Sequence, residues 1–449
     1  MKRERYKRLV IFLEVMILLA VFSALYAYLW INLYESKVYI PFFRRGNWAM
    51  LCMYPLMLLV LGKIFGIYKV AVASRVDMVF SNLFNTLVTN VITYFILVAV
   101  LRHYTEVMPL LILFLCEVAI SIIWVLAVKA VNNILFPPHN LLLIHGDYPL
   151  KDLVLHVNER SERYTIAEEI CVDEGMDAIK QKIGQYDAVL ISDLPAGLRN
   201  DILKYCYDID KRIYMLPKIT DIIISSSPRI HLFDNVALIS KNFGLSQDQR
   251  IAKRIMDVFV SSVMIICSSW LMGIIAIAIK LGDGGPVFYK QKRLTIGGKI
   301  FDIIKFRSMR VDAEKMGPQL STKHDKRITP VGKILRASHM DELPQLFNVF
   351  CGDMSMVGPR PERPEIAGEY IKNVPEFNFR LKVKAGLTGY AQVYGRYNST
   401  PYNKLRLDLI YIQNYSIWLD IKCMVMTLKI LFKSEAREGI EDGRKNAEK

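Results

Sequence analysis

Val258-Phe259-Val260-Ser261-Ser262-Val263-Met264-Ile265-Ile266-Cys267-Ser268-Ser269-Trp270-Leu271-Met272-Gly273-Ile274-Ile275-Ala276-Ile277-Ala278-Ile279 is an apolar run entered through Lys253-Arg254-Ile255-Met256-Asp257. Whether it crosses a bilayer or turns back decides on which side everything after it lies. Length alone favours a crossing, because about 20 apolar residues span a hydrocarbon layer ~30 Å thick. A crossing, however, carries the basic residues beyond Gly282 outside, against the tendency of lysine and arginine to stay in the cytoplasm. A helix that enters and leaves on the cytoplasmic face avoids this, but needs a break near its middle with the freed carbonyls satisfied locally. Ser268, Ser269 and Gly273 can bend the run by serine back-bonding, although no proline is present there to force a kink. The run is read as a re-entrant membrane helix.

Upstream, four stretches are long and apolar enough to span: about 9–31, 48–68, 79–101 and 109–128. They predict a four-helix transmembrane bundle over 1–135. The basic start Met1-Lys2-Arg3-Glu4-Arg5-Tyr6-Lys7-Arg8 places the N-terminus in the cytoplasm, and four crossings return the chain there. The first run is too long for a signal-peptide core and has no small-residue cleavage pattern, so it is expected to stay attached. Glu14 and Glu117 fall inside spans and are expected near the cytoplasmic end or facing another helix.

Between 136 and 245 the pattern changes to short apolar runs, Leu141-Leu142-Leu143-Ile144, Ala188-Val189-Leu190-Ile191 and Arg212-Ile213-Tyr214-Met215-Leu216, separated by amphipathic helical stretches. Such alternation predicts a Rossmann-like α/β domain with a parallel sheet. Its first turn, Ile144-His145-Gly146-Asp147-Tyr148-Pro149, lacks G-x-G-x-x-G, so a regulatory or assembly role is favoured over nucleotide binding.

Downstream, Ser338-His339-Met340-Asp341-Glu342-Leu343-Pro344 and Gly358-Pro359-Arg360-Pro361 set a carboxylate pair close to an arginine held between prolines. An aspartate can attack phosphorus where cations offset its repulsion from a phosphate. On a helix, adjacent Asp341 and Glu342 would diverge by about 100°, allowing one to attack while the other holds metal. Ser338-x-x-Asp341 also reads as a helix start with Pro344 in the first turn, and the two readings are compatible. Lys305 and Arg307 alternate about Phe306 and would share one face of a strand. His339 beside the pair reads as a surface residue in preference to a general base.

This block, with Lys305-Phe306-Arg307-Ser308-Met309 before it and Gly386-Leu387-Thr388-Gly389-Tyr390-Ala391-Gln392-Val393-Tyr394-Gly395-Arg396 after it, resembles the bacterial sugar transferases that act on polyprenyl phosphate, over roughly Lys253–Leu431. The resemblance implies transfer of a hexose 1-phosphate from a UDP-sugar to undecaprenyl phosphate. It implies Asp341 as nucleophile, Glu342 as support for Mg2+, and phosphate contacts from Lys305, Arg307, Arg336, Pro359, Arg360, Pro361 and Arg396. Asp408, Gln392 and Asp353 would be supporting residues, and the glycines of Gly386-Leu387-Thr388-Gly389 could touch phosphate. Asp408 also reads as the solvated face of a helix. The chain departs from the family at Trp270, Ala385 and Thr295, where proline, proline and glycine are usual; Gly297-Gly298 therefore reads as a hairpin turn.

The region 250–432 is thus expected to combine the re-entrant helix with a mostly helical cytoplasmic catalytic domain, followed by a disordered tail at 433–449. Helices are expected at 402–415 and 419–431, the second either in the membrane interface or facing the core. Composition agrees: 53% hydrophobic residues over 449 positions require membrane segments, and a formal charge of +15 near apolar runs suits lipid and phosphate. The basic residues form no continuous stripe, so nucleic acid is not expected as a partner. Seven scattered cysteines without C-x-x-C indicate neither disulfides nor zinc. The expected location is the bacterial inner membrane, with membrane lipid as a partner; a homodimer is compatible with the sequence.

Overall fold

The computed structural model describes residues 2–38, 45–68, 70, 73–146, 154, 157–158, 164–240, 244–310, 327–395 and 400–431. Arg396 and the tail at 433–449 lie outside them. The chain divides into two compact units, Met1–Leu216 and Pro217–Lys449.

In the first unit, α1 (Lys2–Leu29), α2 (Arg45–Phe65), α3 (Arg75–Leu101) and α4 (Met108–Leu135) pack around one core that includes Phe22, Tyr26, Trp30, Tyr54, Leu58, Leu97 and Val125. Each is long and apolar enough to cross a membrane. Ser74 caps α3 by accepting from the Asp77 amide at 3.1 Å, which fixes where that helix begins. The two acidic residues read as lying inside spans face other helices, as expected: Glu14 accepts from Asn132, and Glu117 is fully buried.

The α/β segment of this unit follows the predicted alternation. Strands β1 (His139–His145), β2 (Tyr164–Cys171), β3 (Ala188–Ser192) and β4 (Arg212–Met215) form a parallel sheet in the order β2-β1-β3-β4, with α5 (Met176–Gln185) and α6 (Ala196–Asp208) between them. Apolar strand residues are buried on both faces: Leu142, Ile144, Val189 and Ile191 on one, and Leu141, Leu143, Ala188 and Leu190 on the other. That explains why the strands read as continuous apolar runs instead of alternating ones.

The second unit begins earlier than the sequence suggests. α7 (Ile219–Ser225) buries Ile219 and Ile222 in the core of this unit, and the hairpin β5 (Arg229–Leu232) and β6 (Asn235–Leu238) follows it. Then comes α8, Gln247–Asp283, with 37 residues or about 56 Å of helix. Ser268 and Ser269 do bond back, to Met264 O at 2.6 Å and Ile266 O at 2.9 Å, but the helix runs unbroken across them. The expected break is therefore corrected: Trp270 retains the amide that a proline would lack, and serine back-bonding alone leaves the ladder intact.

α8 is held along its length by one side. Near its start Lys253 pairs with Asp420 at 2.6 Å, and Asp257 accepts from Ser355 Oγ and from Met356 N. Towards its end Met272, Ile275 and Ile279 pack with Phe306 and Leu335. The opposite side exposes Ile255, Phe259, Val263, Ile266, Trp270, Ile274, Ile277 and Leu281. These recur every three or four residues, which makes one apolar stripe.

After α8 come the hairpin β7 (Phe288–Leu294) and β8 (Ile300–Phe306), α9 (Pro330–Ala337), α10 (Gln345–Cys351), β9 (Ser355–Val357), α11 (Pro364–Asn373), β10 (Gly386–Thr388), α12 (Tyr390–Tyr394), α13 (Pro401–Gln413) and α14 (Ile417–Leu431). Gly297 and Gly298, both at positive φ, turn the hairpin, as expected. α14 buries Asp420 and Cys423 while exposing Trp418 and Leu428, so one face joins the core and the other does not.

Candidate active site

Asp341 and Glu342 lie on a single 3-10 turn, Met340–Glu342, between α9 and α10. Ser338 closes α9 instead of opening a helix: its hydroxyl donates to Ile334 O at 2.8 Å. His339 then takes a left-handed conformation at φ 56, which reverses the chain into the turn, while Pro344 stands at the start of α10. A 3-10 turn separates neighbouring side chains by about 120°, so the pair diverges as the sequence suggests.

The divergence gives them different environments. Glu342 Oε1 accepts from Lys305 Nζ at 2.8 Å and from Arg360 Nη2 at 2.9 Å. Burial works to raise its carboxyl, but Arg360 and Lys305 together outweigh that and hold it well below the usual range. Asp341 accepts no hydrogen bond among the described residues. Burial pushes its carboxyl up, Glu342 adds to this, and Lys305 and Arg336 pull it down. One carboxylate is thus fixed by cations while its neighbour keeps open oxygens within their field.

Arg360 is aimed by its backbone. β9 and β10 pair in parallel, and Gly358 N donates to Thr388 O at 2.8 Å while Gly386 N donates to Pro359 O at 3.0 Å. A Cβ on Gly358 would stand 2.4 Å from Lys384 O, and one on Gly389 would stand 2.1 Å from Gly358 O. These glycines permit close backbone approach, which a side chain at either position would block. Pro361 O accepts from Arg293 Nη1 at 3.0 Å, and Arg360 O accepts from Arg380 Nη2 at 2.9 Å.

The remaining predicted residues fall in three places. Lys305, Arg336, Pro359, Arg360 and Pro361 gather about the carboxylate pair or hold its arginine. Arg307, by contrast, is buried with its guanidinium against Gly285, where it closes the connection from α8. Asp408 is buried and not on a solvated face; it pairs with Arg380 at 2.9 Å, so it acts on Arg360 through an intermediary. Burial raises its carboxyl to about 6, against the pull of Arg380. Asp353 accepts from Asn348 at 3.3 Å in the turn after α10, and Gln392 sits in α12 beside Gly389. Arg396 lies outside the described residues.

The contacts made by several further residues were not foreseen from the sequence. Arg380 carries Asp408's charge to the Arg360 loop. Arg293 is buried enough to bring its pKa down to about 10. Asn348 joins α10 to β8, accepting from Ile304 N and donating to Asp302 O. Thr295 uses its hydroxyl twice, donating to Asp353 O at 3.0 Å and accepting from Ala385 N at 3.2 Å. Arg380 is flagged in sequence only as a charge following Phe377 and Phe379, and its ring contact to Phe377 at 4.8 Å is a weak signal.

The family described as bacterial sugar transferase matches residues 248–434, the stretch that carries this site. A UDP-glucose:undecaprenyl-phosphate glucose-1-phosphate transferase of Xanthomonas campestris pv. campestris is 35% identical over 266 residues, covering 57% of this chain and 54% of that protein. A UDP-N-acetylgalactosamine-undecaprenyl-phosphate N-acetylgalactosaminephosphotransferase of Aeromonas hydrophila is 34% identical over 255 residues, or 55% and 59% of the two chains. A protein of Caulobacter vibrioides carrying the same name as the Xanthomonas relative is 37% identical over 188 residues, 41% of this chain and 70% of its own. The chain belongs to the bacterial sugar transferase family. It spans just over half the length of the Xanthomonas and Aeromonas relatives.

Proposed function

We propose that the protein transfers a hexose 1-phosphate from a UDP-sugar to undecaprenyl phosphate, releasing UMP, as the first step of a surface polysaccharide. The observation that carries this reading is the split between the carboxylates: Glu342 is held by Lys305 and Arg360, whereas Asp341 is left open beside the same cations. In the first displacement an Asp341 oxygen attacks the sugar-bearing phosphorus and the bond to UMP breaks. In the second, a lipid phosphate oxygen attacks the phosphosugar-aspartate and frees Asp341. No proton needs to move in either step, so the work of the site is charge stabilisation by Lys305, Arg336 and Arg360.

The residues fit a magnesium ion in the manner of sites with one or two carboxylates completed by substrate phosphates. Glu342 Oε2 accepts no hydrogen bond among the described residues, and Asp341 lies next to it. Glu342 would hold the ion, which when bound would draw charge from the phosphoryl oxygens.

The location read here is the inner membrane, with four N-terminal helices forming a transmembrane bundle and the second unit facing the cytoplasm. α8 would lie along the cytoplasmic face of the bilayer with its exposed apolar stripe in the acyl boundary. In support, residues from Lys253 to Ile279 engage the same unit while the opposite stripe is apolar and exposed.

The test incubates the purified chain with a panel of UDP-sugars, with and without undecaprenyl phosphate. UMP release, and a phosphosugar adduct on Asp341 with donor alone, are expected, both abolished by Asp341→Asn. Release of UDP would indicate transfer of the sugar by direct displacement and sink the proposal.

A further inference from the structure

Glu117 of α4 has no exposed surface, and side chains from two other helices enclose it. The Tyr54 hydroxyl of α2 lies 2.5 Å from Glu117 Oε1 and 3.0 Å from Asn90 Oδ1 of α3. Asn90 Nδ2 donates to Glu117 Oε2 at 2.7 Å, which closes a ring of three edges.

Counting hydrogens around that ring fixes its charge state. Tyr54 owns one hydroxyl hydrogen and Asn90 directs one amide hydrogen along its edge, so an ionised Glu117 leaves two hydrogens for three edges. Two oxygens would then face each other bare in a buried site, which is costly. A proton on Glu117 supplies the missing one: Glu117 donates to Tyr54, Tyr54 to Asn90 and Asn90 back to Glu117, each bond polarising the next. Turning the Asn90 amide over reverses the direction and leaves the same deficit of one. The short Tyr54 edge suits either direction of donation, so the count decides.

The surroundings agree. Tyr26 of α1 stacks on the Tyr54 ring at 4.2 Å, Lys129 stands about 18 Å further along α4, and Glu14 of α1 is engaged by Asn132 beyond it. One and two turns from Asn90 and Glu117, Asn82 leaves both its amide nitrogen and oxygen without a partner among the described residues, as do Asn85 Oδ1 and Ser121 Oγ, all buried. Polar atoms left so at membrane depth call for water.

We propose that Glu117 is a proton-binding site inside the N-terminal helices, its carboxyl holding one exchangeable proton at neutral pH and reached by water through Asn82, Asn85 and Ser121. This is independent of the transferase reaction. The test is infrared spectroscopy of the full chain in lipid nanodiscs at neutral pH, comparing wild type with Glu117→Gln in H2O and D2O. A protonated-carboxyl C=O stretch present in wild type, shifted in D2O and missing from the variant, is expected. The Glu117→Gln substitution preserves the ring, since the new amide can donate to Tyr54 and accept from Asn90, so this variant should melt with wild type while Tyr54→Phe melts lower. Absence of the band, a band unmoved by D2O, or a Glu117→Gln protein that melts well below wild type would overturn the assignment.

Discussion

Replacing Arg380 by methionine should separate stability from activity in the catalytic unit. Arg380 is buried, pairs with Asp408 at 2.9 Å, lies 3.7 Å from Glu362 and donates to Arg360 O at 2.9 Å. Removing one partner of a buried pair strands the other charge and costs about 3–5 kcal/mol. Asp408 already titrates near 6 with the guanidinium present, so without it the carboxyl should be driven to protonate at neutral pH. The double variant Arg380→Met/Asp408→Leu leaves no fully buried charge stranded, Glu362 keeping some access to water, and should regain most of the lost stability in thermal melts. Activity should not return with it. The Arg360 carbonyl would still lack its donor, and on the proposed role of Arg360 in binding phosphate a displacement of about 1 Å can cost on the order of 10²-fold in rate. UMP release measured beside the melts tests both halves. A double variant as unstable as the single one, or one with full UMP release, would refute the chain of support from Asp408 through Arg380 to Arg360.

Three further outcomes follow from named contacts. Asp408 has a folded pKa near 6, above the usual 3.8, so the stability it contributes is present below about pH 4 and lost as pH rises through about 6. That difference is worth about 3 kcal/mol, and Asp408→Asn should flatten stability across the same window in melts taken against pH. Thr295→Val leaves the Ala385 amide unpaired in a buried site and should cost about 1–3 kcal/mol by the same melts. Gly358→Ala drives a methyl into the Lys384 carbonyl and should destabilise by more than about 4 kcal/mol, read as increased protease sensitivity.

Asp341, Glu342, Lys305 and Arg360 were legible in the sequence because their chemistry is written in adjacent residue types: two acids side by side, and an arginine restrained by prolines. Arg380, Thr295 and Asn348 were not, because each acts on a partner brought near only by folding, as Thr295 does on Ala385. The glycines at 358, 386 and 389 announce themselves in sequence, but only the approach of β9 to β10 shows how closely backbone passes them. In the first unit the apolar strand runs were legible through their length. The allegiance of α7 was not, since Ile219 and Ile222 look the same whichever core they enter. The unbroken course of α8 agrees with the missing proline at Trp270, a local rule that the distribution of basic residues beyond Gly282 does not address.

The exposed stripe on α8 extends from Ile255 to Leu281, about 39 Å along the helix axis. Seated in the acyl boundary over that length, the helix would act as a keel, resisting roll and pitch and keeping the Asp341 pocket at a constant height. An acceptor with its tail in the same leaflet would then be found by lateral diffusion in two dimensions, and the loaded carrier could depart the same way without its hydrocarbon ever entering water.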